Sequence, residues 1–400
     1  MFIRTFVFVA LSFASVILWS ASDAQAQIAV KAETVWTMNG APISNGVVLI
    51  KDGKIEAVGT ASQIRIPNGY KVVSAKVATP GLIDARTVVG LNGYLNQPHD
   101  QMALDGSAPI QPELRAIDSY DGREKLVEYL REFGITTIHT GHQPSALVSG
   151  QMMVVKTLSG NLDDVVVNPF SALSVTLGQS SVATGGRAPG TRAKQISMIR
   201  GELSKAKASK ADGPRDLRSE VWKRVLAGEI PLLVNAETAI DMMNALRLAD
   251  EFDIRIILEG GAESYQLLER IKSSGFPVIV HPPMARATGD RENLSLETPA
   301  KLKAAGIPVA FQSGYEGYVP KTRVVLFEAA IAIANGMSRE EAMASLTIDA
   351  AKILGLDSRI GSLAVGKDAD IALYNGDPFE FTTHCIGTII NGKMASDTKR

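Results

Sequence analysis

Thr79-Pro80-Gly81-Leu82-Ile83-Asp84-Ala85-Arg86-Thr87-Val88 is the stretch on which the fold turns. Pro80-Gly81 punctuates the chain, and the apolar pair Leu82-Ile83 that follows reads as a short buried strand. Seven more short runs follow it: Thr136 to His139, Met152 to Lys156, Ala172 to Thr176, Leu232 to Val234, Ile256 to Leu258, Val278 to Val280 and Val309 to Phe311. Helix-like segments lie between them, the pattern of a parallel sheet covered by helices. Eight strands point to an α/β fold of the (β/α)8 TIM-like barrel type. Periodicity alone leaves an open doubly wound sheet standing, but no Gly-x-Gly-x-x-Gly turn follows any strand to favour a dinucleotide fold.

Outward from this middle, both ends of the chain are β-rich. Asn39-Gly40, Asn45-Gly46 and Asp52-Gly53 punctuate Val47 to Ile50 and Ile55 to Val58, and Asn375 to Pro378 and Asn391-Gly392 punctuate Asp370 to Tyr374 and Ile386 to Ile390. The two ends are expected to pair into one small sheet or sandwich. The resulting division is a signal over 1–26, a composite sandwich from 27–79 and 348–400, and a barrel over 80–347. Ser338-Arg339-Glu340-Glu341 has capping-box spacing, so a helix is expected to start there with Ala342, Met343 and Leu346 on its core face. Lys205 to Arg218, which contains Gly213-Pro214, reads as an exposed loop or helix end.

The 400 residues are 46% hydrophobic and 21% charged, enough for a sizeable globular core. Lys and Arg, 41 in all, nearly balance 42 Asp and Glu, so nothing calls for nucleic acid. Arg4, the apolar run Phe6 to Trp19 and Ala24-Gln25-Ala26 read as an export signal cleaved after Ala26. The run falls short of the ~20 apolar residues that span a bilayer. The expectation is therefore a periplasmic or secreted chain with no membrane attachment in its mature form. Cys385 is the only cysteine, excluding an internal disulfide, and its apolar surroundings read as a buried small hydrophobe.

Pro80-Gly81-Leu82-Ile83-Asp84 resembles the end of the first barrel strand in the amidohydrolase superfamily, especially its imidazolonepropionase-like branch. Phe133 to Thr137, Ala350 to Leu356, Gly361 to Leu363 and Val365 to Asp370 carry the same resemblance. It implies a distorted (β/α)8 barrel with a sandwich built from both chain ends, and hydrolysis of non-peptide C–N bonds in cyclic amides or acyl-dipeptides. It also implies metal ligands at fixed places: His-x-His after strand one, a His after each of strands five and six, and an Asp after strand eight. Those places hold Arg86, Val88, Asn235, Gly260 and Gly314. Arginine has no lone pair to give, Val and Gly have no side-chain donor, and an amide oxygen is a poor zinc ligand. A standard binuclear centre is not expected.

The ends of the strands still supply His139, His142, Lys156, Glu237, Glu259, His281 and the Tyr315-Glu316 pair. Three readings follow. His139, His142 and His281 could form a displaced single-metal site, since three ligands and one open position suffice for zinc. Without metal, Arg86 could clamp a carbonyl or carboxylate while Lys156, Glu237, Glu259 or His281 move protons, against the plainer reading of Arg86 as half of an ion pair. Alternatively, the mouth binds a small molecule without turnover, with Thr184 to Arg192 as a lid or anion contact. The cofactor stays open between zinc and none; the partner expected is a small-molecule substrate or ligand.

Overall fold

The computed structural model describes residues 27–209, 214–315 and 325–400; the export signal expected over 1–26, as well as Gly213 and Glu316, lies outside them. The elements run β1 (Ile28–Val35), β2 (Ile43–Lys51), β3 (Lys54–Thr60), β4 (Lys71–Pro80), β5 (Leu82–Thr87), α1 (Lys125–Glu132), β6 (Ile135–Thr140), β7 (Val148–Lys156), α2 (Leu162–Val165) and β8 (Val166–Thr176). They continue through α3 (Arg192–Ala208), α4 (Leu217–Leu226), β9 (Leu232–Ala236), α5 (Ala239–Phe252), β10 (Ile256–Gly260), α6 (Leu268–Ser274), β11 (Val278–Val280), α7 (Thr298–Ala304) and β12 (Val309–Ala310). The chain ends with α8 (Val325–Ala334), α9 (Arg339–Leu346), α10 (Ile348–Ile353), β13 (Ile371–Tyr374), β14 (Cys385–Ile390) and β15 (Lys393–Ser396).

β5 to β12 form one eight-stranded sheet in chain order. Its two edges meet, because Ala85 N donates to Phe311 O at 3.0 Å and Gly314 N to Arg86 O at 3.3 Å. Period-two alternation explains the filling. Leu232, Val234, Ile256, Leu258, Val278 and Val280 face the covering helices. Ile83, Ala85, Met152, Val154, Ala172, Leu233, Ile257, Ile279 and Ala310 face inward, where Ala350, Ala351 and Leu354 of α10 and the turn after it close the bottom. Ser338 caps α9 in the expected box with Glu341. α3 ends at Ala208, so the start of the Lys205 to Arg218 stretch is helix end, as read.

One expectation is corrected. The barrel is not uniformly parallel: β7 runs antiparallel to both β6 and β8. The Gly141–Leu147 connection is too short for the crossover of roughly a dozen residues that a parallel pair requires, and the β7–β8 connection holds only the single turn of α2. The chain ends pair, with Ala372 opposite Thr79, into one seven-stranded sheet in the order β15-β14-β13-β4-β1-β2-β3. That sheet curls around Val30, Val48, Ile50, Ile371 and Ile389, and Ile55 N→Lys367 O (3.0 Å) and Ala369 N→Gly53 O (2.9 Å) draw its two arms together.

The reversal of β7 has a chemical consequence: Lys156 ends at the bottom of the barrel, opposite Thr137 near the start of β6, and not at the mouth. Its ammonium pairs with Asp370 and lies 3.5 Å from Asp368, joining the barrel to the terminal sheet. Lys156→Met should cost about 2–3 kcal/mol in urea unfolding, below the ~3–5 typical of a broken buried pair. The moderation has a cause: Asp368 keeps Lys54 at 2.5 Å and Arg359 at 3.0 Å, and Asp370 keeps the amide of Asn391 at 2.9 Å.

Candidate active site

The inward alternation that is apolar at the bottom of the barrel turns polar at its C-terminal mouth. Ser174, Thr176, Asn235, Glu259, His281 and Gln312 are buried there, each two residues beyond the inward apolar layer of its strand except Thr176, which lies four beyond. Arg86 lies among them, fully buried at the irregular end of β5. Its two terminal nitrogens donate to Thr87 O at 2.8 Å and His142 O at 2.6 Å. Its Nε lies 3.4 Å from Glu259 Oε2, and the Tyr315 ring stacks 5.4 Å from its Cζ. Asn235 Nδ2 donates to Tyr315 Oη at 2.8 Å, which leaves the phenol hydrogen free to donate. Both terminal nitrogens of Arg86 are thus engaged by backbone carbonyls, and its Nε faces Glu259. Burial pushes the Glu259 carboxyl up, and Arg86 opposes the shift.

The histidines do not converge as a ligand set. His139 Nδ1 faces Ala85 O at 2.9 Å, and a carbonyl only accepts, so Nδ1 carries the proton and Nε2 accepts from Ser171 Oγ at 2.8 Å. Both nitrogens are in use. His142 packs its ring over Gly150, whose φ is +135°, and a Cβ there would come 2.5 Å from the ring. His281 directs Nδ1 to Pro282 O at 3.2 Å and leaves Nε2 buried without a partner. Among the described residues no group of three or more His, Cys, Asp or Glu side chains is arranged to hold a metal ion.

Glu237 follows β9 and is half-buried beside Gly260. Gly260 has φ +87°, and a Cβ on it would lie 2.7 Å from the Glu237 carboxyl, so this carboxylate fills the space that a larger residue at 260 needs. Ala262 N donates to Glu237 Oε2 at 3.2 Å. Burial pushes the Glu237 carboxyl up to about 7, against the pull of Arg291 and that amide. A cavity of about 200 Å³ opens beside it, lined by Glu237, Arg291, Gln312, Tyr315, Gln143 and Ser145 among others. A larger cavity, about 580 Å³, is bounded by Pro231, Pro277 and Pro308, the residues preceding β9, β11 and β12, and so lies at the opposite end from the mouth. Barrel chemistry belongs to the strands' C-terminal ends, which favours the smaller cavity.

Sequence reading missed Arg291 and Gln312 as site residues, and named Asp84 only as an ion-pair partner for Arg86. Arg291 is half-buried in the loop after β11, held where it is by its neighbour: Asp290 accepts from Gln179 N at 2.6 Å and pairs with Arg192 at 3.4 Å, while Arg192 also grips Asp241 at 2.8 Å. A charged residue in a loop following a barrel strand was the available signal. Arg192 thus begins α3 paired with Asp241 and Asp290. Asp84 is buried, accepting from Ser313 N (3.0 Å), Ser313 Oγ (2.5 Å) and Arg86 N (3.2 Å), and burial pushes it up to about 7.

These groups give the chain a predictable pH response. Burial pushes His139 down to about 3, and His142 and His281 to about 4, so the folded chain lacks protons that the unfolded chain binds below 6.5. Their contribution is present above 6.5 and is lost as pH falls. Asp84 and Glu237, raised to about 7, act oppositely: their contribution is present at low pH and is lost as pH rises through 7. Urea midpoints should therefore climb from about pH 4 to 6.5, where the three imidazoles outweigh the two carboxyls, and dip slightly to a plateau above about 7, with Asp84→Asn shrinking the dip.

Residues 233–395 match a family model described as the amidohydrolase family. An imidazolonepropionase of Geobacillus sp. is 23% identical over 369 residues, 83% of this chain and 84% of that protein. Imidazolonepropionase of Shewanella oneidensis is 37% identical over 100 residues, 23% of this chain and 24% of its own. The crystal structure of an amidohydrolase from Thermotoga maritima superposes with a TM-score of 0.87 at 28% identity, covering 93% of this chain and all of the other. A putative prolidase from Bifidobacterium longum shares the fold at a TM-score of 0.60 and 17% identity, over 93% of this chain and 95% of that one. In barrel, family-model match and relatives alike, this chain is similar to the amidohydrolase superfamily.

Proposed function

We propose that this protein hydrolyses a non-peptide C–N bond of a small amide, and does so without the superfamily's binuclear metal centre. The observation that carries the reading is Glu237: a carboxyl at a barrel mouth, pushed up to about 7 by burial, lining a cavity that Arg291 and Tyr315 also line. In this reading Glu237 takes a proton from the attacking water and returns it to the leaving nitrogen. Tyr315, its oxygen already accepting from Asn235, donates its hydrogen to the developing oxyanion. Arg291 holds a carboxylate of the substrate. Glu259 and Arg86 form the buried floor, and His281 Nε2 is a second acceptor nearby.

The residues do not fit a zinc centre. Arg86 brings a fixed cation to the first ligand position and Val88 is packed in the core; Gly260 and Gly314 offer no donor, and Asn235 is spent on Tyr315. No step is assigned to a metal. Cyclic amides and N-acyl amino acids are the substrates to screen. With an accepted substrate, kcat/KM should rise with pH through about 7 and then level, because the base must be ionised for attack. A profile flat between pH 5.5 and 8.5 counts against Glu237 as the base. Residues 1–26 support export, which N-terminal sequencing of the protein recovered from a periplasmic fraction tests.

A further inference from the structure

Next to the Glu237 cavity lies a second one of about 470 Å³, and Ser145 lines both. The walls are continuous on the other side too, since Ser180 borders the first and Ser181 the second. The two differ in chemistry. The first presents Glu237, Arg291, Gln312 and Tyr315, whereas the second is walled by Leu104, Pro109, Leu147, Val182, Ala183 and Pro189. Its one charged lining residue, Arg187, directs its Nε to Thr184 O at 3.4 Å. Leu104 is 40% exposed at this wall, and Met102, close by in the chain, is 50% exposed.

The walls are built rather than incidental. Buried Gln195 donates from Nε2 to Gly178 O at 2.7 Å and to Ser181 Oγ at 2.9 Å, and Ser181 Oγ donates to Thr176 O at 2.7 Å. Ala183 N donates to Pro189 O at 2.7 Å, closing the loop that carries Arg187. Val148 N donates to Pro109 O at 2.9 Å, fixing the facing wall to β7. A preformed apolar compartment beside a polar one suits a ligand with one end of each kind.

We propose that the second cavity is the subsite for the apolar arm of the substrate, which makes the substrate class an amide bearing a carboxylate on its nitrogen side and an acyl or aryl group of several carbons on the other. This rests on the hydrolase reading of the Glu237 cavity. In an N-acyl amino acid the carboxylate meets Arg291, the amide lies at Glu237 and Tyr315, and the acyl chain passes Ser145 into the apolar compartment. Water adds to the carbonyl carbon, the C–N bond breaks, and the proton taken by Glu237 leaves with the nitrogen. The products are a fatty or aryl acid and an amino acid, and water is the only co-reactant.

N-acylglycines with acyl chains of two, six and ten carbons test this by isothermal titration calorimetry on the chain from Gln27 onward. Affinity should rise roughly three- to fourfold for each methylene that enters the cavity. Leu104→Asp and Ala183→Trp should flatten that dependence, and Leu104→Met should retain it, with unchanged circular dichroism and melting temperature showing that each variant folds. Affinity independent of chain length, or no binding by any of the three, overturns the subsite. Glycine release is followed in the same samples. Tighter binding of longer chains without release keeps the subsite and sinks the hydrolase reading, while equal release from all three lengths does the reverse.

Discussion

Glu237→Gln lowers kcat for an accepted amide by about 10²- to 10⁴-fold, the range of a lost general acid–base group. The change is nearly isosteric. The amide oxygen of Gln can still accept from Ala262 N, as Glu237 Oε2 does at 3.2 Å, and the clearance over Gly260 stays filled. What disappears is the ionisation near 7 that burial creates. KM should move little, because in this account Arg291 and the apolar compartment hold the substrate. Stability above pH 7 should rise slightly, since a carboxyl that is costly to ionise has gone. A loss of kcat with a parallel collapse of the melting temperature would instead make Glu237 a structural residue.

Arg86→Met destabilises the protein by about 3–5 kcal/mol, the cost of removing one partner from a buried ion pair. Glu259 is left fully buried with neither oxygen bonded, and Thr87 O and His142 O lose their donors. Adding Glu259→Met to the same chain should recover a large part of the loss, because two apolar side chains of similar volume need no desolvated charge. Urea midpoints of the two single variants and the double variant give the coupling directly. Additive losses, with no recovery in the double variant, would mean that Arg86 acts through its backbone contacts alone.

Much of the fold was legible because each barrel strand is a short apolar run with clear turns. All eight runs are strands, and Val278–Val280 keeps the bounds read from sequence. The direction of β7 was not legible from its residues. Val148 to Lys156 looks the same whichever way it runs, and only the shortness of the Gly141–Leu147 connection carried the information. That one miss carried Lys156 from the expected mouth to the opposite end. The site was legible in part. Arg86, Glu237, Glu259 and His281 were named from their places at strand ends, and they do gather at the mouth. His139 was named from its strand, but the carbonyl of Ala85 and the hydroxyl of Ser171 that occupy its nitrogens come from distant parts of the chain. Arg291 was missed because its position depends on the contacts of its neighbour Asp290 with Arg192 and Gln179, two contacts that no local pattern encodes.

The most direct test of the central claim is the release of amine from an accepted N-acyl amino acid by the exhaustively chelated protein, with and without added zinc. Catalysis centred on Glu237, with Arg86 in place of a metal ligand, predicts the same rate in both samples and a loss in Glu237→Gln. A rate that vanishes on chelation and returns with zinc would contradict it.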